Sequence, residues 1–120
     1  MPAFTKPTAK TLDAFAAGVA GLAGIEHRTM FGYPSVFLGG NMLASVFQDR
    51  IMVRVSEHDR ATALDAGAKL FEPSPGRPMR EYVELPPKIA GDPTALRGWI
   101  ERGRGYMATL PKKTRAKKAR

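Results

Sequence analysis

The sequence predicts an α+β fold: an antiparallel β-sheet meander with helices packed on it, in the approximate order α-β-β-β-β-α-β-β-α. The first observation is an alternation of apolar residues between positions 36 and 55, interrupted by two short turns, which is typical of neighbouring antiparallel strands. The second is a helical spacing of apolar residues near both ends of the chain. The third is length, because 120 residues suffice for one hydrophobic core but not for two.

The first predicted helix covers residues 9–23. Its apolar side chains recur three or four positions apart and fall within one arc of a helix, and Gly24 is placed to end it. Residues 25–30 follow as a short strand. The apolar arc contains Leu12, Phe15, Val19 and Leu22.

The predicted meander buries one face of the sheet. "GGN" at 39–41 and "QD" at 48–49 form its turns. The outward residues of the last strand are Arg50, Met52 and Arg54, of which only Met52 is apolar. The residues predicted to face the core are Val36, Leu38, Met42, Ala44, Val46, Ile51, Val53 and Val55.

A second helix is predicted directly after the meander. Ser56 caps its start, and the helix runs to about Ala66. Leu70 and Phe71 form a short strand. The segment "EPSPGRP" at 72–78 is predicted to be a loop, because it contains three prolines.

The C-terminal part of the domain is predicted as a strand followed by a helix. "MREYVEL" at 79–85 alternates as a strand, and Asp92 with the following proline begins the last helix. Gly103 lies on the apolar side of that helix, where a small residue permits close approach of another backbone. The same side carries Leu96, Trp99, Ile100, Met107 and Leu110.

The net charge of +8 is concentrated at the C-terminus. The last ten residues contain six Lys or Arg and no acid, whereas the first 110 carry 13 basic and 11 acidic residues, a balance of +2. We therefore expect a single folded domain over 1–110 and a disordered tail over 111–120, which either binds polyanions or keeps the protein soluble. The basic residues of the tail are Lys112, Lys113, Arg115, Lys117, Lys118 and Arg120.

The sequence contains no constellation of catalytic residues. Cysteine is absent, and His27 and His58 are too far apart in sequence for a helical metal motif. The adjacent side chains of "EHD" at 57–59 point apart on a helix, and Glu81 and Glu84 have opposite strand parity. We therefore predict a protein that is not an enzyme and has no cofactor or metal site.

The remaining candidate contact residues are basic and aromatic. If residues 79–85 form a strand, Arg80 and Tyr82 share one face with Glu84, and Arg77 lies close by. This arrangement is either an anion-binding patch with a stacking ring or the solvent face of an edge strand with a local Arg–Glu pair. Arg28 is a further candidate contact for a partner or nucleic acid.

The stretch "MFGYP" at 30–34 is interpreted as a bend between two strands. Gly32 supplies backbone freedom and Pro34 begins the next strand. Met30 and Phe31 are then expected in the core, and Tyr33 is expected to be exposed. On this interpretation Gly32→Ala costs more stability than Tyr33→Ala.

An ordered set of motifs over residues 10–110 resembles the N-terminal domain of the TfoX/Sxy family. The motifs are R-x-M-F-G, a strand bearing an arginine, G-R-x-M-x-x-Y and D-P-x-A-L. "MFGYP" and the basic tail are similar to one subgroup of that family. The matching residues are Arg28, Met30, Phe31, Gly32, Arg54, Gly76, Arg77, Met79, Tyr82, Asp92, Pro93, Ala95 and Leu96.

The resemblance implies the α+β fold and no catalytic residue. The family is named for regulators of natural competence that act with a cyclic-AMP receptor protein at promoters. Those regulators carry an additional C-terminal helical domain, where this sequence has its basic tail.

Two functional hypotheses follow. In the first, the protein is a non-enzymatic accessory or regulatory protein, whose tail binds nucleic acid weakly and non-specifically and whose body contacts a protein partner. In the second, it is a small protein-interaction or self-associating module without a nucleic-acid role, as a monomer or homodimer. The absence of cysteine and of any apolar segment of membrane-spanning or signal-peptide length predicts a cytoplasmic protein without membrane contact.

Overall fold

A computed structural model describes residues 6–30, 32–74 and 76–110, with backbone only at 73–74 and 77–80. Within these residues the chain forms six strands and four helices, in the predicted order with one added helical turn, α3. The elements are α1 (Ala9–Val19), β1 (Ile25–Met30), β2 (Tyr33–Leu38), β3 (Asn41–Phe47), β4 (Arg50–Arg54), α2 (Glu57–Asp65), β5 (Lys69–Ser74), β6 (Arg77–Glu84), α3 (Pro87–Ala90) and α4 (Pro93–Met107).

The strands form one antiparallel sheet in the order β1-β2-β3-β4-β6-β5, so β1 and β5 are its edges. The predicted α+β class is confirmed. The predicted caps of the later helices are also present: the Ser56 hydroxyl accepts from the Asp59 N–H, and the Asp92 carboxylate accepts from the Thr94 and Ala95 N–H groups.

The main core lies between the sheet and the helices, all of which pack on one side of it. Alternate residues of the strands meet the apolar sides of α1 and α4 there, and Ala63 of α2 joins them. Gly103 is buried where α4 crosses β4, and a Cβ atom at this position would overlap the Arg54 carbonyl oxygen. The predicted close approach at Gly103 is therefore confirmed. The fully buried side chains of this core include Val36, Leu43, Val46, Ile51, Val53, Val55, Val83, Leu96 and Ile100.

The first helix is shorter than predicted. It ends at Val19, and Leu22 reaches the core from the turn that follows. Leu12 is 37% exposed, although it lies on the predicted apolar arc.

A β-bulge in β3 changes which residues face the core. Val36 pairs with Ala44, but the next residue, Phe37, pairs with Met42, so Leu43 is an extra residue in β3. Leu43 is fully buried in the main core, and Met42 packs on the opposite side of the sheet. The prediction that Met42 shares a face with Ala44 is therefore wrong, because strict alternation fails at a bulge.

Most of the segment 72–78 is strand and not the loop that its prolines predicted, and Pro75 lies outside the described residues. β5 continues to Ser74 and β6 begins at Arg77, which is paired with Ser74. β5 is an edge strand, where a missing N–H is tolerated, and its ladder with β6 shifts register between Leu70 and Phe71 and again before Ser74.

The sheet face that carries no helix, here called the helix-free face, has a smaller apolar cluster of its own. Met52, Phe71 and Tyr82 are buried there, with Met42 and Phe47 packed against them. The expectation that only one face is buried is therefore wrong, and Met52 is core rather than an isolated exposed residue.

Aromatic rings from separate strands close this second cluster. The rings of Phe47 in β3 and Phe71 in β5 lie 5.1 Å apart, centroid to centroid, although two strands separate β3 from β5. Large side chains on the helix-free face therefore reach across the intervening strands and cover one another without a helix.

Candidate functional site

Three arginine–glutamate pairs lie among the described strands, two of them on the helix-free face. At the β1 edge, Arg28 pairs with Glu26 at 3.1 Å, and its guanidinium carbon lies 4.5 Å from the centroid of the Phe37 ring. At the end of β4, Arg50 pairs with Glu84 of β6 at 3.1 Å. Each guanidinium is neutralised by a carboxylate of the same strand or a neighbouring one.

The third pair, at Arg54, is the most enclosed. The Arg54 Nε donates to Glu81 Oε1 at 2.7 Å, and the Tyr106 hydroxyl donates to Glu81 Oε2 at 3.2 Å. The guanidinium carbon lies 6.0 Å from the ring centroids of both Tyr82 and Tyr106. The Arg54 side chain is only 17% exposed, so this cluster ties β4, β6 and α4 together.

Both tyrosines of this cluster are neutral donors at physiological pH. Burial raises the pKa of Tyr82, and its hydroxyl donates to the Met42 carbonyl oxygen at 2.8 Å. Burial also raises the pKa of Tyr106, and the charge of Glu81 raises it further. The Met42 carbonyl lies next to the bulge at Leu43, where the β2–β3 ladder is interrupted. The cluster has the chemistry of a structural network and no activated nucleophile.

Two of the predicted contact residues are buried. Tyr33 is 4% exposed and packs on Phe47 with ring centroids 5.4 Å apart, so the prediction of an exposed Tyr33 is wrong. Alternation along β2 places Tyr33 on the same side of the sheet as Phe47, and its buried ring is contiguous with the main core. Tyr82 is 9% exposed, and its ring is not available for stacking on a base.

Of the other predicted residues, some lie at the surface, some are half-buried and some fall outside the described residues. Arg28 lies exposed on β1. The backbone of Arg77 and Arg80 belongs to β6, but their side chains lie outside the described residues. Met30 is half-buried, and Phe31 is likewise outside the described part. The same holds for all six tail residues: Lys112, Lys113, Arg115, Lys117, Lys118 and Arg120.

The arginines of "RGRGY" at 102–106 are engaged on the surface of α4. Arg102 pairs with Asp59 of α2 at 2.8 Å and lies 4.9 Å from the Trp99 ring centroid. Arg104 lies 3.9 Å from Glu101. The segment is therefore a packed part of α4.

Two grooves flank the domain. One, of about 620 Å³, lies between the C-terminal end of α4 and the β2–β3 turn; Leu38, Arg104 and Met107 are part of its lining. The other, of about 570 Å³, lies between the start of α1 and the β3–β4 turn. In this groove the Asp49 carboxylate accepts a hydrogen bond from the Thr8 backbone N–H, which is the main reason that its pKa is lowered, and the Thr11 hydroxyl lowers it further.

Within residues 6–30, 32–74 and 76–110, no three His, Cys, Asp or Glu side chains are grouped to hold a metal ion.

Sequence reasoning missed the Arg54–Glu81–Tyr106 network. Its members lie on β4, β6 and α4 and are 25 or more positions apart in sequence, so no local spacing connects them. The expected opposite parity of Glu81 and Glu84 is confirmed: Glu84 is opposite Met52 of the helix-free face, whereas Glu81 alternates with Glu84 and shares the side of Val83 in the main core. No helix in the described part of the chain combines the length and apolarity needed to cross a bilayer.

Comparison with known families gives one match. The TfoX N-terminal domain matches over residues 17–105, from the end of α1 to the last turn of α4. No curated protein matches the chain. The match supports a regulatory or competence-related accessory role, and this is not a known enzyme family.

Proposed function

We propose that this chain, which belongs to the TfoX N-terminal domain family, is a non-enzymatic accessory or regulatory protein with two separate binding elements. The folded domain contacts a protein partner. The basic segment 111–120 adds weak, sequence-independent affinity for nucleic acid.

The proposal depends on which arginines of the chain are already paired with carboxylates. Affinity for a phosphate backbone comes from cations that replace its counterions, and a guanidinium already held by a carboxylate is poorly suited to that role. Among the side chains that the structure describes, six arginines lie within 4 Å of a carboxylate, and they are found on the sheet and on α4. These residues are Arg28, Arg50, Arg54, Arg97, Arg102 and Arg104.

The tail is different in composition. Six of its ten residues are basic and none is acidic, so no Asp or Glu side chain within the segment competes with phosphate. Six phosphate contacts predict a slope of about −5 in a plot of log K against log salt concentration. Binding of this kind is strong enough to concentrate a protein on nucleic acid but does not select a sequence.

The surface of the body is better suited to a protein partner. Paired charges surround half-buried apolar side chains on the helix-free face, among them Met30 and Met42. Aromatic residues, methionine and arginine within a polar rim are the composition that protein interfaces favour.

The test is a salt titration of duplex DNA binding, measured by fluorescence anisotropy. We expect the full chain to bind with the steep salt dependence given above, and a chain ending at residue 110 to lose most of the affinity with an unchanged melting temperature. The matched control is a full-length chain with the six basic tail residues changed to glutamine, which we expect to behave like the truncated chain. If the truncated body binds DNA as well as the full chain does, the proposed role of the tail is wrong.

A further inference from the structure

The two edges of the sheet differ in their capacity to accept another strand. β5 carries Pro73, which has no N–H to donate, and its ladder with β6 is irregular. β1 has no proline and pairs with β2 over six consecutive residues without a register shift. Its four central residues, 26–29, are exposed. Of the two edges, β1 is therefore the regular template for strand addition.

The β1–β2 hairpin determines which backbone groups of β1 point outward. Met30 is opposite Tyr33, with two residues between them, and the closing pair of such a hairpin is hydrogen-bonded. Because hydrogen-bonded and non-hydrogen-bonded pairs alternate, Arg28 and Glu26 direct their N–H and C=O groups toward β2. Ile25, His27 and Thr29 therefore direct theirs away from the sheet.

The side chains of β1 have alternating charge on one face. Glu26 and Arg28 share the helix-free side of the strand and are 61% and 46% exposed. Charges on an edge strand commonly prevent pairing. Here the two charges are opposite in sign and two residues apart, so an antiparallel copy of the same strand places each charge opposite its complement.

We infer that β1 is a self-association surface, through which two copies of this chain pair antiparallel in a register centred on His27. In this register Glu26 lies opposite Arg28 of the second copy, and Arg28 lies opposite Glu26. The outward backbone groups of Ile25, His27 and Thr29 form the hydrogen-bonded pairs between the copies, and the charged residues occupy the closer, non-hydrogen-bonded positions.

Electrostatics selects this register over its neighbours. Because only the odd-numbered residues direct their backbone groups outward, the second copy can shift along β1 only in steps of two residues, which keep odd-numbered residues paired with one another. One such step places Arg28 opposite Arg28 of the second copy, and the step in the other direction places Glu26 opposite Glu26. Both alternatives set like charges directly opposite each other, which destabilises a strand pair.

The dimer joins two six-stranded sheets into one of twelve strands. Its contact is a single short strand from each copy, smaller than the interface of a permanent dimer, so we expect weak, concentration-dependent association. This inference does not depend on nucleic-acid binding by the tail, and it holds or fails separately from that proposal.

The test is sedimentation equilibrium of the full chain over a wide concentration range, with charge variants. Glu26→Arg and Arg28→Glu each replace two attractive cross-strand contacts by two repulsive ones, and we expect each to weaken dimerisation about tenfold or more. The double variant Glu26→Arg/Arg28→Glu restores opposite charges across the axis, and its dimerisation should return to near the wild-type value. Because both side chains are exposed, we expect the melting temperatures of dilute samples to change little.

A backbone variant tests the same register independently of charge. His27→Pro removes one outward N–H and leaves the hydrogen bonds to β2 in place, so we expect a folded monomer. In the wild type, hydrogen exchange at the His27 and Thr29 amides should slow as concentration rises, while exchange at the Glu26 and Arg28 amides does not depend on concentration. A strictly monomeric wild type, a double variant that stays monomeric, or a dimer that persists in His27→Pro would each overturn the inference.

Discussion

The two faces of the sheet are buried in different ways. On the helix-covered face, α1 and α4 supply the apolar side chains that meet the strands, and the approach is so close that α4 needs Gly103. On the helix-free face, the rings of Phe47 and Phe71 touch although two strands lie between β3 and β5. Burial does not require a second layer of helices when large side chains of separate strands cover one another.

The largest expected effect is at the helix-covered face. A Cβ atom at Gly103 would overlap the Arg54 carbonyl and lie 3.0 Å from Leu43 Cδ1 and 3.1 Å from Val53 Cγ1. The obstacle is backbone, which cannot rotate away, so we expect Gly103→Ala to lower the free energy of unfolding by more than about 3 kcal/mol in urea denaturation.

Gly105 is the matched control on the same helix. A Cβ there would meet nothing within 4 Å, and Gly105→Ala should raise stability by about 0.5–1 kcal/mol. Equal effects of the two substitutions would show that helix propensity, and not the approach of α4 to β4, decides the role of Gly103.

The second prediction concerns the helix-free face. Tyr33 is buried against Phe47, and we expect Tyr33→Ala to cost about 3 kcal/mol, because the truncation removes a ring contact and leaves a cavity. Gly32 has a φ of +85°, and Gly32→Ala should cost about 1 kcal/mol through backbone strain. This order is the reverse of the sequence-based expectation, and thermal or chemical unfolding of the two variants decides between them.

The smallest effect is expected at the hydrogen bond that crosses the helix-free face. Tyr82→Phe leaves the ring in place and removes the donor to the Met42 carbonyl. We expect a loss of about 1 kcal/mol, within the range for one partly buried hydrogen bond. Met52 packs in the same cluster without such a bond, and Met52→Leu should cost less than Tyr82→Phe if the hydrogen bond, and not packing alone, stabilises this cluster.

The candidate contact residues show where sequence reasoning ends. Arg28 is exposed, as expected for a charged residue on an edge strand. Tyr33 and Tyr82 were expected to offer accessible rings, yet both are buried: Tyr33 packs on Phe47 of β3, and Tyr82 lies in a cluster with Met52 of β4 and Phe71 of β5. Alternation identifies which side of a strand a residue occupies, but not whether that side is covered.

The sequence by itself determined the order of the elements, the caps at Ser56 and Asp92, the need for a small residue at Gly103 and the segregation of basic charge into the tail. These features depend on local spacing, propensity and composition. Only the tertiary structure decided the bulge at Leu43, the extension of β5 to Ser74 and of β6 from Arg77, the burial of Tyr33 and the Arg54–Glu81–Tyr106 network. Each of these depends on which distant strands become neighbours, and pairing between strands is a property of the whole sheet that no single segment encodes.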